Sequence, residues 1–224
     1  MRIGGLQKFS LIDYPGKMAA VIFTQGCNFR CPYCQNARLV EPALYGELIP
    51  EGEVLAFLER RQGKLEGVVV SGGEPTLQPD LISFLDKLKR LGYLIKLDTN
   101  GSQPKVLEKI IDLRLVNYVA MDVKAPLEKY SIAAGAGLNV SRIKQSIKII
   151  IRSGIAHQFR TTMVKSLCPL TDIEKIRSLV EGARRYTLQP FIPRENILDK
   201  ALLKEENYTP EEIQEFEHAL AIPE

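Results

Sequence analysis

Three cysteines lie within eight residues of one another, at Cys27, Cys31 and Cys34 in the segment QGCNFRCPYCQN. Clustered thiolates in a reducing compartment bind metals or exchange electrons, and four cysteines are too few to crosslink a chain of 224 residues. The spacing therefore indicates a metal or redox centre. The fourth cysteine, Cys168, stands alone, and we predict that it is a thiol of a loop or of the core.

Three kinds of centre are compatible with this group. A structural zinc ion needs a fourth ligand, which would have to be Cys168, His157 or His218. A redox pair formed by the last two clustered cysteines would leave the first one unexplained. An iron–sulfur cluster on three thiolates would leave one iron without a protein ligand, and such an open coordination position is typical of catalysis.

Apolar segments of strand length alternate with amphipathic helical segments along the chain. This pattern predicts a parallel sheet with helices between its strands, and six β/α units are too few for a closed eight-stranded barrel. We therefore predict a single α/β domain with the fold of an open, partial (β/α)6 barrel, comprising a core at 18–195 and a helical tail at 196–224. The predicted strands are 18–24, 67–71, 94–98, 117–122, 158–164 and 186–191. The predicted helices are 51–62, 79–91, 104–113, 140–153, 171–184 and 210–220.

Chemically distinctive residues follow the predicted strands at their carboxyl ends, where parallel α/β folds bind ligands. The cysteines follow the first strand, 71–75 follows the second, and 98–101 follows the third. Residues 121–124 close the fourth strand, and Arg160 lies on the fifth. An arginine is costly inside a barrel unless it meets an anion. We therefore expect these segments to form one site that binds an anionic ligand.

The segment Gly72-Gly73-Glu74-Pro75 has two interpretations. Most sequences of this kind are simple turns at the end of a strand. Alternatively, Gly72 and Gly73 let the backbone approach a ligand closely, and Glu74 accepts hydrogen bonds from an ammonium group. Its position directly after a strand favours the ligand-binding interpretation.

Two acidic residues end neighbouring predicted strands. Asp98 and Asp122, together with Thr99 and the carbonyl of Met121, would form an oxygen cage suited to a hard cation. A turn at 98–101 and a helix cap at Asp122 are the alternatives.

The cysteine spacing C-x3-C-x2-C, with Tyr33 before the last cysteine, resembles the signature of the radical S-adenosylmethionine (SAM) enzymes. That family uses a partial (β/α)6 barrel. The resemblance implies that Cys27, Cys31 and Cys34 form the catalytic centre by holding a [4Fe–4S] cluster. It also implies that the free iron of this cluster binds the amino and carboxylate groups of SAM.

The resemblance extends to the strand ends. Gly72-Gly73-Glu74 is similar to the family motif that grips the SAM amino group, and Lys124 matches a lysine that pairs with the SAM carboxylate. Arg160 is expected to face SAM or a bound peptide. In the pyruvate formate-lyase activating enzyme, which this stretch resembles, the residues that match the predicted cage form a monovalent cation site beside SAM. The remaining residues implied to bind the cofactor are Tyr33, Asp98 and Asn100.

Residues before the cysteines resemble the glycyl-radical-enzyme activases. The segments are SLIDYPG at 10–16 and FTQGC at 23–27, and Asp13 is the residue expected to contact the protein substrate. The Asp-Tyr-Pro-Gly form is most like the activating component of the anaerobic ribonucleoside-triphosphate reductase. A glycyl radical enzyme as protein substrate and a flavodoxin or ferredoxin as electron donor are implied.

Two alternatives stay open within the same family. One is an activase of the pyruvate formate-lyase type, although the sixth predicted strand ends in Gln-Pro-Phe-Ile-Pro and lacks the histidine of that enzyme. The other is a small-molecule enzyme such as a 7-carboxy-7-deazaguanine synthase, which has no reason to carry the motif at 12–16.

Composition excludes several other classes. A formal charge of +3 is too balanced to make nucleic acid the main partner. No apolar run approaches the roughly 18 residues of a membrane helix, and the amino terminus lacks the apolar core of a signal peptide. We expect a cytoplasmic protein with no membrane partner.

Overall fold

The backbone forms one sheet of seven strands, in which each strand lies beside its neighbour in sequence. The structure, a computed structural model, describes residues 1–219. The first strand is antiparallel to the second, and every later pair is parallel. The strands are β1 (Ile3–Ser10), β2 (Ala19–Thr24), β3 (Gly67–Gly72), β4 (Leu94–Thr99), β5 (Tyr118–Asp122), β6 (Ala156–Met163) and β7 (Tyr186–Pro190).

Helices connect the parallel strands, as a parallel sheet requires. The helices are α1 (Ala37–Val40), α2 (Glu51–Glu59), α3 (Leu81–Arg90), α4 (Pro104–Asp112), α5 (Tyr130–Ala134), α6 (Val140–Ser153), α7 (Ile173–Leu179) and α8 (Pro210–Ala219). Their apolar side chains pack against one face of the sheet and form the main core. Among residues 1–219, no helix has both the length and the apolar character needed to cross a membrane.

The opposite, inner face of the sheet carries a smaller apolar cluster. Ala19, Val21 and Val69 are buried there beneath Tyr14, which belongs to the loop between β1 and β2. The Tyr14 ring lies 6.0 Å from that of Tyr118, at the start of β5. The loop therefore closes the amino end of the inner face, and polar residues occupy the carboxyl end.

The partial barrel with six parallel strands predicted from the sequence is confirmed, but β1 was not predicted. Its sequence, IGGLQKFS, has two glycines and an irregular burial pattern, so period-two hydrophobicity could not reveal it. The predicted helix at 171–184 is shorter than expected because it ends at Leu179. Residue 220 of the predicted last helix lies outside the described residues, and the division into core and tail stays a prediction.

Candidate active site

A cavity of about 670 Å³ lies on the inner face of the sheet and extends to the carboxyl ends of its strands. Such a volume is typical of sites for small ligands. The predicted residues that line it are Asp13, Cys27, Cys31, Tyr33, Cys34, Gly72, Gly73, Asp98, Thr99, Asn100, Asp122, Lys124 and Arg160. Glu74 and Met121 are the predicted site residues that do not line it.

The cysteines lie in a loop between β2 and α1, here called the cysteine loop (residues 25–36). Burial, with a smaller contribution from the nearby Glu74 charge, raises the pKa of Cys27 to about 12. Burial also raises the pKa of Cys31 and of Cys34, although the Lys124 ammonium opposes the shift at both. The free thiols are therefore protonated at neutral pH, and a metal that binds them must displace their protons.

Hydrogen bonds fix the first cysteine from two sides. The Phe29 backbone amide donates to Cys27 Sγ at 3.4 Å, and Asn100 Nδ2 approaches the same sulfur at 3.8 Å. The Arg30 guanidinium donates to the Cys27 carbonyl at 2.8 Å. N–H donors directed at a sulfur favour its anionic form, so this environment suits a thiolate ligand.

A carboxyl-terminal segment, residues 192–199, holds the other side of the cysteine loop. Gln35 Nε2 donates to the Ile192 carbonyl at 2.7 Å, and the Asp199 amide donates to the Pro32 carbonyl at 2.9 Å. Asn196 Nδ2 donates to the Gln35 carbonyl. Parts of the chain that are far apart in sequence thus position the cysteines together.

Gly72 ends β3 and Gly73 follows it, and both allow this part of the chain to approach β2 and the cysteine loop closely. The Gly73 amide donates to the Thr24 carbonyl at 2.8 Å. A Cβ at Gly72 would lie 2.2 Å from the Thr24 backbone nitrogen, and one at Gly73 would lie 2.1 Å from the Gly26 carbonyl oxygen. Gly72 also has a φ of +116°, which favours glycine. Close approach of two backbone segments therefore requires glycine at both positions.

Glu74 is completely buried behind the cavity wall, and its predicted contact with a ligand stays a prediction. The carboxylate accepts hydrogen bonds from the Thr76 amide at 3.0 Å, from Thr99 Oγ1 at 2.8 Å and from the Asn100 amide at 2.6 Å. The Thr76 hydroxyl donates to it as well. Glu74 thus joins the end of β3 to the end of β4. Burial raises its pKa, against the effect of these donors.

Five charged side chains alternate in sign along the inner face and form a charge chain (Lys96, Asp98, Arg160, Asp122 and Lys124). Lys96 pairs with Asp98, and Arg160 lies 3.6 Å from Asp98 and 2.8 Å from Asp122. Lys124 Nζ lies 2.9 Å from the other oxygen of Asp122. The charge chain thus crosses β4, β5 and β6 and ends below the cysteines.

Attraction between opposite charges favours the ionised forms of Asp122 and Lys124, whereas burial lowers the pKa of Lys96 against the opposing effect of Asp98. Burial alone would raise the pKa of Asp122, but Arg160 and Lys124 hold it well below its usual range. Burial alone would lower the pKa of Lys124, but Asp122 holds it well above its usual range. Lys124 therefore presents a permanent positive charge to the cavity, close to Cys31.

Protein cations contact two members of the predicted cation cage, Asp98 and Asp122. Thr99 Oγ1 donates to Glu74, and Met121 does not line the cavity. The predicted cation cage stays a prediction.

Asp13 reaches the cavity from the amino end of the strands, opposite the cysteines. Its carboxylate accepts a hydrogen bond from the Ser10 hydroxyl, which itself accepts from the Asp13 amide at 3.1 Å. The neighbouring Leu11 and Ile12 point outwards, and Ile12 is 89% exposed. The cavity is therefore bordered by thiols at one end and by a carboxylate with exposed apolar neighbours at the other.

Tyr33 supplies a buried polar atom that needs a partner. Among residues 1–219, the Tyr33 hydroxyl has no hydrogen-bond partner, although the side chain is buried in the cavity wall. Its ring packs edge-on against Phe191 and lies 5.8 Å from Lys124 Nζ. A buried hydroxyl without a partner is costly, so a bound ligand that accepts its hydrogen bond would stabilise the site.

Sequence reasoning missed three residues that position the site. Asn28 Oδ1 accepts from Asn100 Nδ2 at 3.0 Å, and Ser71 donates to Asp98 at 3.1 Å. Lys96 was also missed, although a lysine in the middle of an otherwise apolar strand is a signal for a buried carboxylate partner.

The structure does not support zinc as the bound metal. Both ring nitrogens of His157 contact the backbone, at the Ile155 carbonyl and the Arg184 amide. Cys168 is 1% exposed and belongs to the main core, as predicted. Two of the three candidates for a fourth zinc ligand are thus engaged elsewhere, whereas the three clustered cysteines share one cavity.

The open barrel, with a cysteine-lined cavity at the carboxyl ends of its strands, defines an α/β enzyme built around a metal centre. Residues 21–167 match the model of the Radical SAM superfamily. The chain belongs to this family and is a radical SAM enzyme, with a [4Fe–4S] cluster and SAM as its cofactors.

Comparison with individual proteins shows more specific similarities within this family. The chain is 36% identical to a protein of Methanocaldococcus jannaschii that is named as a glycyl-radical enzyme activating enzyme, over 86% of this chain and 81% of that protein. It is 30% identical to the pyruvate formate-lyase-activating enzyme of Clostridium pasteurianum, with the same coverage. It is 25% identical to the 7-carboxy-7-deazaguanine synthase of Thermococcus kodakarensis, over 80% of this chain and 77% of that protein.

Solved structures confirm the fold. SuiB of Streptococcus suis bound to SAM superimposes with a TM-score of 0.69 at 13% identity. The match covers 90% of this chain and 48% of SuiB, so the present chain corresponds to about half of that protein.

The donor groups of the cavity fit the family cofactors. Three thiols face it together, Cys27 Sγ already receives N–H donors, and Tyr33 has a free hydroxyl. Lys124 and Arg160 line the same cavity and are both cationic, which suits the carboxylate of SAM. The cysteines are thus suited to the cluster, and the cations beside them to SAM.

Proposed function

We propose that this protein is an activase that generates a glycyl radical on a partner enzyme. The observation that carries the proposal is a single cavity with three cysteines at one end and Asp13 at the other. A protein substrate needs its own approach to the reacting group, separate from the cluster. The loop between β1 and β2, with Asp13 at the cavity and exposed Leu11 and Ile12, offers a contact surface for that substrate.

Each part of the cavity has a proposed role. Cys27, Cys31 and Cys34 would hold the [4Fe–4S] cluster, which with SAM and an electron from the donor protein would supply the chemistry of hydrogen-atom abstraction. Lys124 and Arg160 orient the SAM carboxylate by charge.

The other residues lining the cavity shape its wall. The backbone at Gly72 and Gly73 allows close approach of SAM, and Tyr33 and Asn100 limit the space around it. The enclosing barrel keeps water away from the reactive species. Asp98 belongs to the charge chain and acts on SAM through Arg160.

Asp13 has the chemistry to position a peptide. Its carboxylate is held by Ser10 and borders the cavity, where it can accept a hydrogen bond from a substrate backbone amide. Leu11 and Ile12 beside it offer apolar contacts to the rest of the substrate loop.

The partner that we propose is the anaerobic ribonucleoside-triphosphate reductase. The Asp-Tyr-Pro-Gly sequence at 13–16 supports this choice. Flavodoxin or ferredoxin is the proposed electron donor, and the cytoplasm is the proposed location. Two alternatives are supported by similarity: pyruvate formate-lyase as partner, and 7-carboxy-7-deazaguanine synthesis.

An anaerobic activation assay tests the proposal. The protein with its cluster reconstituted is reduced and mixed with SAM and either the reductase or pyruvate formate-lyase, and glycyl radical is measured by electron paramagnetic resonance (EPR). We expect the radical with the reductase and a lower yield with Asp13→Asn than with the exposed-site control Asp112→Asn. A radical on pyruvate formate-lyase alone would favour the first alternative. Absence of any glycyl radical on either partner, with reductive cleavage of SAM intact, would refute the activase proposal.

A further inference from the structure

Lys96 is an unusual residue to find inside a barrel. It lies on β4 with its side chain only 2% exposed, on the inner face between Val69 of β3 and Tyr118 of β5. Burial of a lysine is costly unless a counter-charge is close. Its counter-charge is Asp98, which lines the cavity.

The shortest polar contact of Asp98 is with Lys96. The other polar contacts of Asp98 in the described part of the chain are the Ser71 hydroxyl at 3.1 Å and the Arg160 guanidinium at 3.6 Å. The guanidinium lies closer to Asp122, at 2.8 Å. Without Lys96, Asp98 would compete with Asp122 for Arg160, and the arrangement of cations that faces the cavity would change.

We infer that the Lys96 ammonium serves as a built-in monovalent cation at Asp98, so that this enzyme binds SAM without Na⁺ or K⁺. An ammonium carries the same charge as these ions and meets a carboxylate oxygen in the same way. Because it is attached to β4, it is present at any salt composition. Lys96 is a positioning residue, since it acts on SAM through Asp98 and Arg160.

The inference rests on SAM binding and not on the identity of the partner protein. The test therefore uses the reconstituted holoenzyme without any partner, so a failed activation assay would leave the result intact. The dissociation constant for SAM is measured in buffers of equal ionic strength that contain choline, Na⁺, K⁺ or NH₄⁺. The proteins are the wild type, Lys96→Met, and the exposed-site control Lys105→Met.

We expect the wild type and Lys105→Met to bind SAM equally in all four buffers. In choline, Lys96→Met should bind about 10- to 100-fold more weakly, the usual cost of losing a group that orients a binding residue. The small cations K⁺ and NH₄⁺ should restore most of this loss, because the deletion leaves space beside Asp98 for one of them.

Three outcomes would overturn the inference. One is wild-type binding that fails in choline, since the native enzyme would then need a metal cation. The second is a Lys96→Met variant that binds SAM normally in choline. The third is weak binding that no small cation restores, because Lys96 would then have only a structural role.

A second measurement keeps the inference testable if Lys96→Met folds poorly. The thermal unfolding temperature of the cluster-free chains is compared in choline and in K⁺. K⁺ should raise that of Lys96→Met and leave that of the wild type unchanged. If Lys96→Met does not fold, Lys96→Gln replaces it, and the wild-type titrations alone can still contradict the inference.

Discussion

The cysteine loop and the charge chain line the same cavity, but they differ in how far the protein itself satisfies them. In the charge chain every carboxylate has a cation and every cation has a carboxylate. In the cysteine loop three buried thiols have raised pKa values, and the hydroxyl of Tyr33 has no partner within residues 1–219. One region is complete without a ligand, and the other acquires its missing interactions when a ligand binds.

This difference indicates which of the two regions gains more favourable interactions when a ligand binds. A region that is already neutralised provides a fixed electrostatic wall, which costs no reorganisation when a substrate arrives. A region with protonated, unpartnered groups gains most from binding, because metal binding and loop ordering are coupled. Substitutions in the cysteine loop should therefore affect cofactor content, and substitutions in the charge chain should affect the stability of the cofactor-free chain.

The largest effect is expected at Cys31. Cys31→Ala removes one of three iron ligands, so cleavage of SAM should fall to background while the cluster-free chain remains folded. The measurements are 5′-deoxyadenosine by chromatography, iron per chain, and circular dichroism. Cys168→Ala is the matched control, because that thiol lies in the core outside the cavity and should leave iron content unchanged. Retained cleavage with unchanged iron in Cys31→Ala would contradict the assignment.

A smaller effect is expected at Gly73, where the chain after β3 contacts the cysteine loop. Gly73→Ala places a methyl group 2.1 Å from the Gly26 carbonyl oxygen. Overpacking of this kind costs about 1–3 kcal/mol of the free energy of unfolding, and the displaced loop should also bind less iron. Chemical denaturation and iron analysis test both effects. In contrast, Gly52→Ala adds a methyl group in open space on α2 and should stabilise the chain by roughly 0.5–1 kcal/mol. Equal results for the two variants would show that the contact does not position the loop.

The smallest effect concerns acid stability. Arg160 and Lys124 hold the pKa of Asp122 below its ordinary value of 3.8, so ionised Asp122 stabilises the fold above that pH. As the pH falls below this value, the Asp122 carboxylate is protonated in the unfolded chain before it is protonated in the folded protein. The folded state therefore loses the stability that ionised Asp122 contributes. Between about pH 5 and about pH 3, Asp122→Asn should therefore lose less stability than the wild type, by about 1 kcal/mol after screening by water in the cavity.

Urea denaturation at each pH measures this difference. The exposed-site variant Asp112→Asn should follow the wild type, because Asp112 lies outside the charge chain. Parallel pH profiles for the wild type and Asp122→Asn would show that the charge chain does not hold the Asp122 pKa low.

Much of the fold could be predicted from the sequence, because apolar runs such as Val68-Val69-Val70 mark strands that are buried on both faces. The antiparallel β1 could not, since backbone pairing with β2 holds its glycines and polar residues in place. The location of the site at the strand ends followed from the topology, and twelve of its predicted residues besides Asp13 line one cavity.

Side-chain direction could not be predicted from motifs. Glu74 follows two glycines that contact the cysteine loop, yet its own side chain turns to the Asn100 amide. Asp98 and Asp122 share Arg160, a partner on another strand. The Asp98–Arg160 contact joins β4 to β6 across the sheet, and no spacing within the sequence encodes it.

The hydrogen bonds between residues 192–199 and the cysteine loop have a consequence for biosynthesis. Cys27, Cys31 and Cys34 leave the ribosome long before the residues that bond to Gln35 and Pro32 are translated. The loop can reach its final arrangement only after residues 192–199 have been translated, and until then the thiols lack their enclosing segment. Cluster insertion into the closed loop is therefore a late event, and the nascent chain depends on a reducing environment until then.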